Sequence, residues 1–263
     1  MPQKTIRPWS FVTFTLSFAL LLISSTAKAA DTFVIVSDVD DTVKVTDVLH
    51  RGPANAIGSR LVFAGMPELY AQLLGPGSRS ERLRFISGSS RILDHQLTEV
   101  LIAFPAYNLT LRGLGPSESS VRYYESERMK ALYGTSPETF ILIGDDTEFD
   151  PEVYTNFAAA MPGQVRAIYI RRITGRQLPT GCIPFVTAYD IALEERLAGH
   201  MSEAQAAAVG MAVLASPDST LLPRFQTCPI AGAIDQKDPL ANRIQKRLSQ
   251  LCAAGTLPQP TSP

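Results

Sequence analysis

The sequence predicts an α/β protein in which a parallel sheet is covered by helices and followed by a helical extension. Three observations carry this. Short apolar, β-branched runs recur at Phe33–Val36, Leu83–Ile86, Thr139–Ile143 and Val165–Ile170, each of strand length. The first three empty at their C-terminal ends into Asp or Ser, which is where an open α/β sheet presents its ligand crevice. After Val186 the texture becomes rich in Ala and Leu at helical spacing. With 263 residues, 45% of them hydrophobic, the chain can build one full core plus an appendage.

Residues 1–29 read as a signal peptide. Lys4 and Arg7 precede the apolar stretch Trp9–Ile23, and Ala27-Lys28-Ala29 offers small residues for cleavage before Ala30. That stretch is shorter than the roughly 20 residues needed to span a bilayer, and the first strand follows with almost no linker for a retained anchor. The expected product is exported, periplasmic or secreted. Loss of Lys4, Arg7 and Lys28 leaves 21 basic against 25 acidic side chains, which makes nucleic acid a poor partner.

The catalytic portion is expected over 30–187. Its first strand leads into Ser37-Asp38-Val39-Asp40-Asp41-Thr42. Continued as a strand, the D-x-D-x-T spacing aims Asp38, Asp40 and Thr42 the same way. Two carboxylates so close repel each other unless a cation or a shared proton intervenes, and the chemistry this suits is phosphoryl transfer with magnesium. The competing reading is a plain turn, where Asp is favoured because it accepts backbone hydrogen bonds. Thr139–Ile143 repeats the pattern with Gly144-Asp145 and then Asp150. Magnesium takes oxygen ligands octahedrally, a few from protein with water and phosphate completing the set, and Asp38, Asp40 and Asp145 could supply them. Leu83–Ile86 ends at Ser87-Gly88-Ser89-Ser90, ahead of a helix expected over Arg91–Phe104. Small polar residues there can bind an anion or cap the helix, and both roles are open for Ser89 and Ser90. Arg171 and Arg172, at the end of the fourth run, suit either bidentate phosphate contact or a surface pair.

Strand ends carrying Asp, Ser and Asp in that order resemble the haloacid dehalogenase superfamily of phosphotransferases. The runs Ser37–Val48, Gly65–Tyr70, Phe85–Ser89, Leu142–Asp145 and Asp150–Tyr154 resemble one branch of it, the catalytic domain of actin-patch-protein type phosphatidate phosphatases, over about Thr32 to Val186. The resemblance implies a Rossmann-like three-layer sandwich and a set of roles. Asp38 is implied as the nucleophile that forms an aspartyl-phosphate. Asp40 is implied as the acid for the departing oxygen and then the base for water, which calls for a raised effective pKa. Magnesium is implied on Asp38, the Asp40 main-chain carbonyl and Asp145, with Asp150 supporting it through water. Ser87 is implied as a hydrogen-bond donor to a phosphoryl oxygen, and the family also calls for a lysine that stabilises developing charge. Lys130, the only lysine between Lys44 and Lys237, fills that place on a short helical stretch over Glu125–Tyr133. An ordinary solvated lysine is the other reading, and Arg122 and Arg128 are substitutes.

The implied reaction is magnesium-dependent hydrolysis of a phosphomonoester, phosphatidate to diacylglycerol. Because the motifs describe the phosphate and not its attachment, soluble sugar or nucleotide phosphates are the alternative substrates. A non-catalytic module for lipid head groups is a further alternative, although binding alone needs no pair of Asp38 and Asp40. The insert Val48–Gly65, with Leu49, Ile57, Leu61, Val62 and Phe63, either offers an apolar surface for a diacyl substrate and peripheral membrane contact or belongs to the core.

Residues 188–255 are expected to be helical. Candidates are Asp190–Leu197, Ser202–Leu214 opened by the capping box Ser202-Glu203-Ala204-Gln205, and Pro239–Leu251 started by Asp238 and Pro239. The Pro-rich tail 256–263 is expected to be disordered. Cys182, Cys228 and Cys252 permit one internal disulfide, with Cys228 and Cys252 the expected pair. No His/Cys spacing suits zinc.

Overall fold

The computed structural model describes residues 33–50, 59–90, 93–112, 129–130, 133, 137–228 and 237–254. Residues 1–29, expected as a signal peptide, Arg122, Arg128, residues 51–58 of the insert and the tail 256–263 lie outside the described residues.

Six strands form one parallel sheet: β1 (Phe33–Ser37), β2 (Leu83–Ser90), β3 (Asn108–Arg112), β4 (Thr139–Asp145), β5 (Val165–Arg171) and β6 (Cys182–Phe185), in the order β3-β2-β1-β4-β5-β6. Ile35 of β1 lies beside Leu83 on one side and Ile141 on the other. The chain builds outward from β1 in one direction and then resumes on its other flank with β4. The point where strand order reverses therefore falls between β1 and β4, and a crevice opens there at their C-terminal ends.

Helices whose bounds fall among the described residues are α1 (Met66–Leu74), α2 (Asp94–Leu101), α3 (Asp150–Ala160), α4 (Ala188–Leu197), α5 (Glu203–Ala215), α6 (Asp218–Leu221) and α7 (Pro239–Ala253). Alternate residues of β1 serve opposite faces, as the strand period requires. Phe33 and Ile35 join a core with Met66 of α1, Leu97 of α2, Ile191 of α4, Val209 of α5, Leu221 of α6 and Ile244 of α7. Val34 and Val36 pack on the other face with Val153, Tyr154 and Phe157 of α3 and with Met129 and Tyr133. The result is the expected three-layer sandwich, and coverage on both faces is why its strands read as unbroken apolar runs.

The C-terminal helices begin as their caps require. Ser202 and Gln205 exchange hydrogen bonds across the first turn of α5, and the Asp238 carboxylate accepts the Leu240 and Ala241 amides at the start of α7. Tyr189 of α4 donates to the same Asp238 carboxylate at 2.9 Å, and a Cys228–Cys252 disulfide ties α7 to the loop before it, with Cys182 free. Two boundaries differ from expectation. β2 runs on through Ser90, and α2 starts at Asp94 with Leu93 at its N-cap and no side-chain cap, so neither Ser89 nor Ser90 caps it.

Candidate active site

At the end of β1 the Asp38 N–H donates to the Ile143 carbonyl at 3.0 Å, holding the residue against β4. Beneath it, the buried Tyr70 hydroxyl donates to Ser37 Oγ at 2.8 Å, and Ser37 Oγ donates to the Asp38 carbonyl at 2.6 Å. The chain then turns instead of continuing as a strand. Asp41 adopts φ 58°, and its carboxylate accepts the N–H groups of Thr46, Asp47 and Val48 at 2.9, 2.7 and 2.8 Å. Burial pushes the Asp41 carboxyl up, against the pull of those three donors. The expectation of one strand face shared by Asp38, Asp40 and Thr42 is thereby corrected, since β1 ends at Ser37 and the left-handed turn at Asp41 breaks the strand alternation.

Thr42 reaches across the crevice, its hydroxyl donating to Asp145 Oδ2 at 2.9 Å. Asp145, the last residue of β4, also accepts the Thr147 N–H at 2.7 Å and the Thr147 hydroxyl on Oδ1. Asp150 opens α3 and folds back so that its Oδ2 accepts the Asp145 N–H at 3.0 Å. That return needs Gly144, because a Cβ there would lie 2.6 Å from the Asp150 Cβ. The G-D-x4-D spacing is thus a packing requirement as well as a motif.

Oxygens of Asp38, Asp145 and Asp150, all three buried, lie within 4.8 Å of one another. Burial raises Asp145 well above the usual carboxylate range, and Asp41 adds to it; burial likewise raises Asp150, with Asp145 adding to it. Such a cluster is stabilised by a cation, and an all-oxygen donor set fits a hard divalent ion. Asp150, expected to act through water, brings its carboxylate into this group directly, beside Asp38 and Asp145, two of the three residues that sequence reasoning placed on the metal.

Asp40 stands apart. Its Oδ1 lies 3.4 Å from Lys44 Nζ and accepts the Thr46 hydroxyl at 2.8 Å, while its Oδ2 accepts the Ser89 hydroxyl at 2.7 Å. Ser87 is buried within β2, three residues before its end, and its Oγ accepts the Ser89 amide at 3.0 Å. Among the described residues this leaves the Ser87 hydroxyl proton available for a ligand. Lys130 is exposed. Lys44, Thr46 and Tyr70 were missed as site residues, although Lys44 stands four positions after Asp40 inside the very run that drew attention, and Ser89, read as an anion contact or a helix cap, instead donates to Asp40.

Arg171 and Arg172 serve the scaffold. Arg171 is fully buried between the rings of Phe63 and Phe185, 3.9 and 4.7 Å from their centroids. Its Nε donates to the Thr42 carbonyl at 2.9 Å and its Nη1 to the Val186 carbonyl at 2.7 Å, and burial lowers its pKa to about 9. Arg172 Nε lies 3.3 Å from the buried Asp146 carboxylate.

A family model described as phosphatidate phosphatase APP1, catalytic domain, matches residues 33–172. The chain belongs to this family. The matched span runs from the first residue of β1 to just past β5, so it contains Asp38, Asp40, Ser87, Lys130, Asp145 and Asp150 and leaves β6 and α4–α7 outside it. Membership of the phosphatidate phosphatase APP1 family makes the protein a phosphoric monoester hydrolase, and the family name implies a phosphorylated lipid as substrate. No curated protein and no solved structure gives a significant match to the chain.

Proposed function

We propose that the protein is an exported, magnesium-dependent phosphatase that converts phosphatidate to diacylglycerol through an aspartyl-phosphate, in the manner of the haloacid dehalogenase superfamily. The observation that carries this is the meeting of Asp38 with Asp145 and Asp150 at the reversal point of the sheet. Asp38, Asp145 and the Asp40 main-chain carbonyl would hold Mg²⁺, with Asp150 beside them. The bound ion supplies the charge neutralisation that lets a phosphate dianion approach a carboxylate.

An Asp38 oxygen attacks phosphorus as the bond to the lipid oxygen breaks, and Asp40 gives its proton to that oxygen so that diacylglycerol leaves neutral. Asp40 then takes a proton from water, whose oxygen attacks the same phosphorus. The Asp38–phosphorus bond breaks, and inorganic phosphate departs. Ser87 donates to a phosphoryl oxygen, and Lys130 is assigned the negative charge that develops there. The Tyr70–Ser37 chain holds the Asp38 backbone from below.

Export is supported by the apolar stretch before Ala27-Lys28-Ala29 and by the disulfide, which persists in oxidising compartments. Among the described residues no helix is long and apolar enough to cross a membrane. Contact with a lipid surface is supported by Leu49, Leu61 and Phe149, which are 52%, 47% and 39% exposed on segments that leave the C-terminal ends of β1 and β4. Phe63, by contrast, is buried, so the insert divides between core and surface.

Phosphate release by the chain from Ala30 onward tests the proposal, with phosphatidate micelles and soluble monoesters, Mg²⁺ or EDTA, and Asp38→Asn as control. Metal-dependent release from phosphatidate that disappears in the variant is expected. Release from soluble esters alone would move the function to scavenging, and no release from any ester would overturn it.

A further inference from the structure

We infer that Lys44, together with Thr46 and Ser89, is the device that orients Asp40 for proton transfer, with Oδ2 as the transferring atom. The inference rests on the acid–base reading of Asp40 given above.

Lysine is almost never fully buried unless paired, yet Lys44 has no exposed surface. Its place is set by the backbone of the turn. The Lys44 N–H donates to the Val39 carbonyl at 2.9 Å, its own carbonyl accepts the Asp41 N–H at 2.8 Å, and it bridges to Val62. From there Nζ lies 3.4 Å from Asp40 Oδ1. Thr46 Oγ1 is 2.8 Å from the same oxygen, nearer than its other acceptor, the Lys44 carbonyl at 3.3 Å.

A carboxylate oxygen offers two lone-pair sites. Oδ1 is filled by Lys44 and Thr46. Among the described residues Oδ2 accepts only the Ser89 hydroxyl, at 2.7 Å, and one of its sites stays open. Three donors from three positions fix the carboxyl plane, which a short side chain with two free torsions would not do alone. The third donor also ties Asp40 to the phosphate-binding side of the crevice, since Ser89 donates its amide to Ser87 Oγ. Proton donor and phosphoryl contact are therefore set against each other through one residue, and a displacement of about 1 Å in such an arrangement can cost on the order of 100-fold in rate. Lys44 is a positioning residue in this account, because it acts through Asp40.

The first turnover discriminates. Rapid-quench measurement of leaving-group release reports the step in which Asp40 gives its proton, without the later hydrolysis. Phosphatidate releases an alkoxide that needs that proton, whereas p-nitrophenyl phosphate releases a phenolate that does not. Asp40→Asn should lose far more on phosphatidate than on the aryl ester. Lys44→Met and Ser89→Ala should reproduce that selectivity, slowing diacylglycerol release about 100-fold while p-nitrophenol release stays within several-fold and KM is little changed. Equal losses on both esters, or a raised KM with kcat preserved, would overturn the inference. Selectivity in Asp40→Asn without selectivity in Lys44→Met and Ser89→Ala overturns it while the reading of Asp40 stands. No selectivity in Asp40→Asn overturns both. Circular dichroism checks folding, and if Lys44→Met does not fold, the half-buried Ser89 decides through Ser89→Ala.

Discussion

The Thr42 hydroxyl donates to Asp145 Oδ2 at 2.9 Å across 103 positions of sequence. This one bond joins the turn after β1 to the end of β4, and Arg171 steadies it from below through the Thr42 carbonyl. Thr42→Val keeps the shape and removes the donor. A fall in kcat of about 10- to 100-fold is expected, with roughly 10-fold more Mg²⁺ needed for half activity, since partners that orient ligands typically matter to that extent. Thr42→Ser should restore most of both. A magnesium titration of the three proteins checks this, and unchanged half-saturation in Thr42→Val would refute it.

Gly144→Ala places a methyl group where Asp150 folds back, 2.6 Å from its Cβ. The carboxylate must move or the strand must shift, so activity should fall at least about 100-fold and stability by about 1–3 kcal/mol. Steady-state rates and urea unfolding measure the two effects. Full activity in the variant would show that Asp150 need not lie against the strand.

Burial raises Asp145 and Asp150 well above the ordinary aspartate value of about 3.9 that the unfolded chain keeps. The native state therefore holds protons that the unfolded state has already released. Stability of the metal-free protein should fall as pH climbs from about 4 through the raised native values. Mg²⁺ should reverse the loss at neutral pH, by about 2.7 kcal/mol at 100 times its Kd. Thermal unfolding in EDTA and in Mg²⁺ across pH tests this, with Asp145→Asn expected to blunt both responses. No stabilisation by Mg²⁺ at pH 7 would count against a metal at this cluster.

Cys228 and Cys252 close a loop with a sequence separation of 24. Cys252→Ser should cost about 3 kcal/mol by the chain-entropy relation, read as a shift of the denaturation midpoint. Cys182 behaves differently: burial pushes its thiol up to about 11, so it should resist alkylation at neutral pH until the chain unfolds. Prompt labelling of the native protein would contradict this.

Replacing Leu49, Leu61 and Phe149 by serine should weaken turnover of phosphatidate in vesicles several-fold and leave a short-chain soluble analogue unaffected, because only the former requires adsorption to a surface. Vesicle sedimentation alongside the two assays separates adsorption from chemistry. Equal rates on vesicles before and after substitution would remove these side chains from the lipid contact.

Strands β1, β4 and β5 were legible because each is buried on both faces and so reads as a continuous apolar run. Asp145 and Asp150 were legible because their spacing from such a run is local. β6 was not, being four residues long with Pro184 inside it. The turn was legible as the competing reading of an Asp-rich run, but the amide donors that fix it at Asp41 lie five to seven positions away and could not be assigned from spacing. Ser89 meets Asp40 across 49 positions, a pairing that only the parallel packing of β1 and β2 creates. Arg171 read as either a phosphate contact or a surface charge at a strand end and is neither, since Phe63 and Phe185, which enclose it, come from elsewhere in the chain.

The family-matched span ends at residue 172, yet Tyr189, Ile191, Val209 and Ile244 lie in the same core as Ile35, Ile143 and Tyr169 of the sheet. Chemistry and foldability therefore have different borders in this chain. A fragment cut at the edge of the matched span would carry Asp38, Asp40, Asp145 and Asp150 but leave much of one sheet face wet, and would be prone to aggregate. Transplanting the activity into another protein means carrying a helical roof along with it.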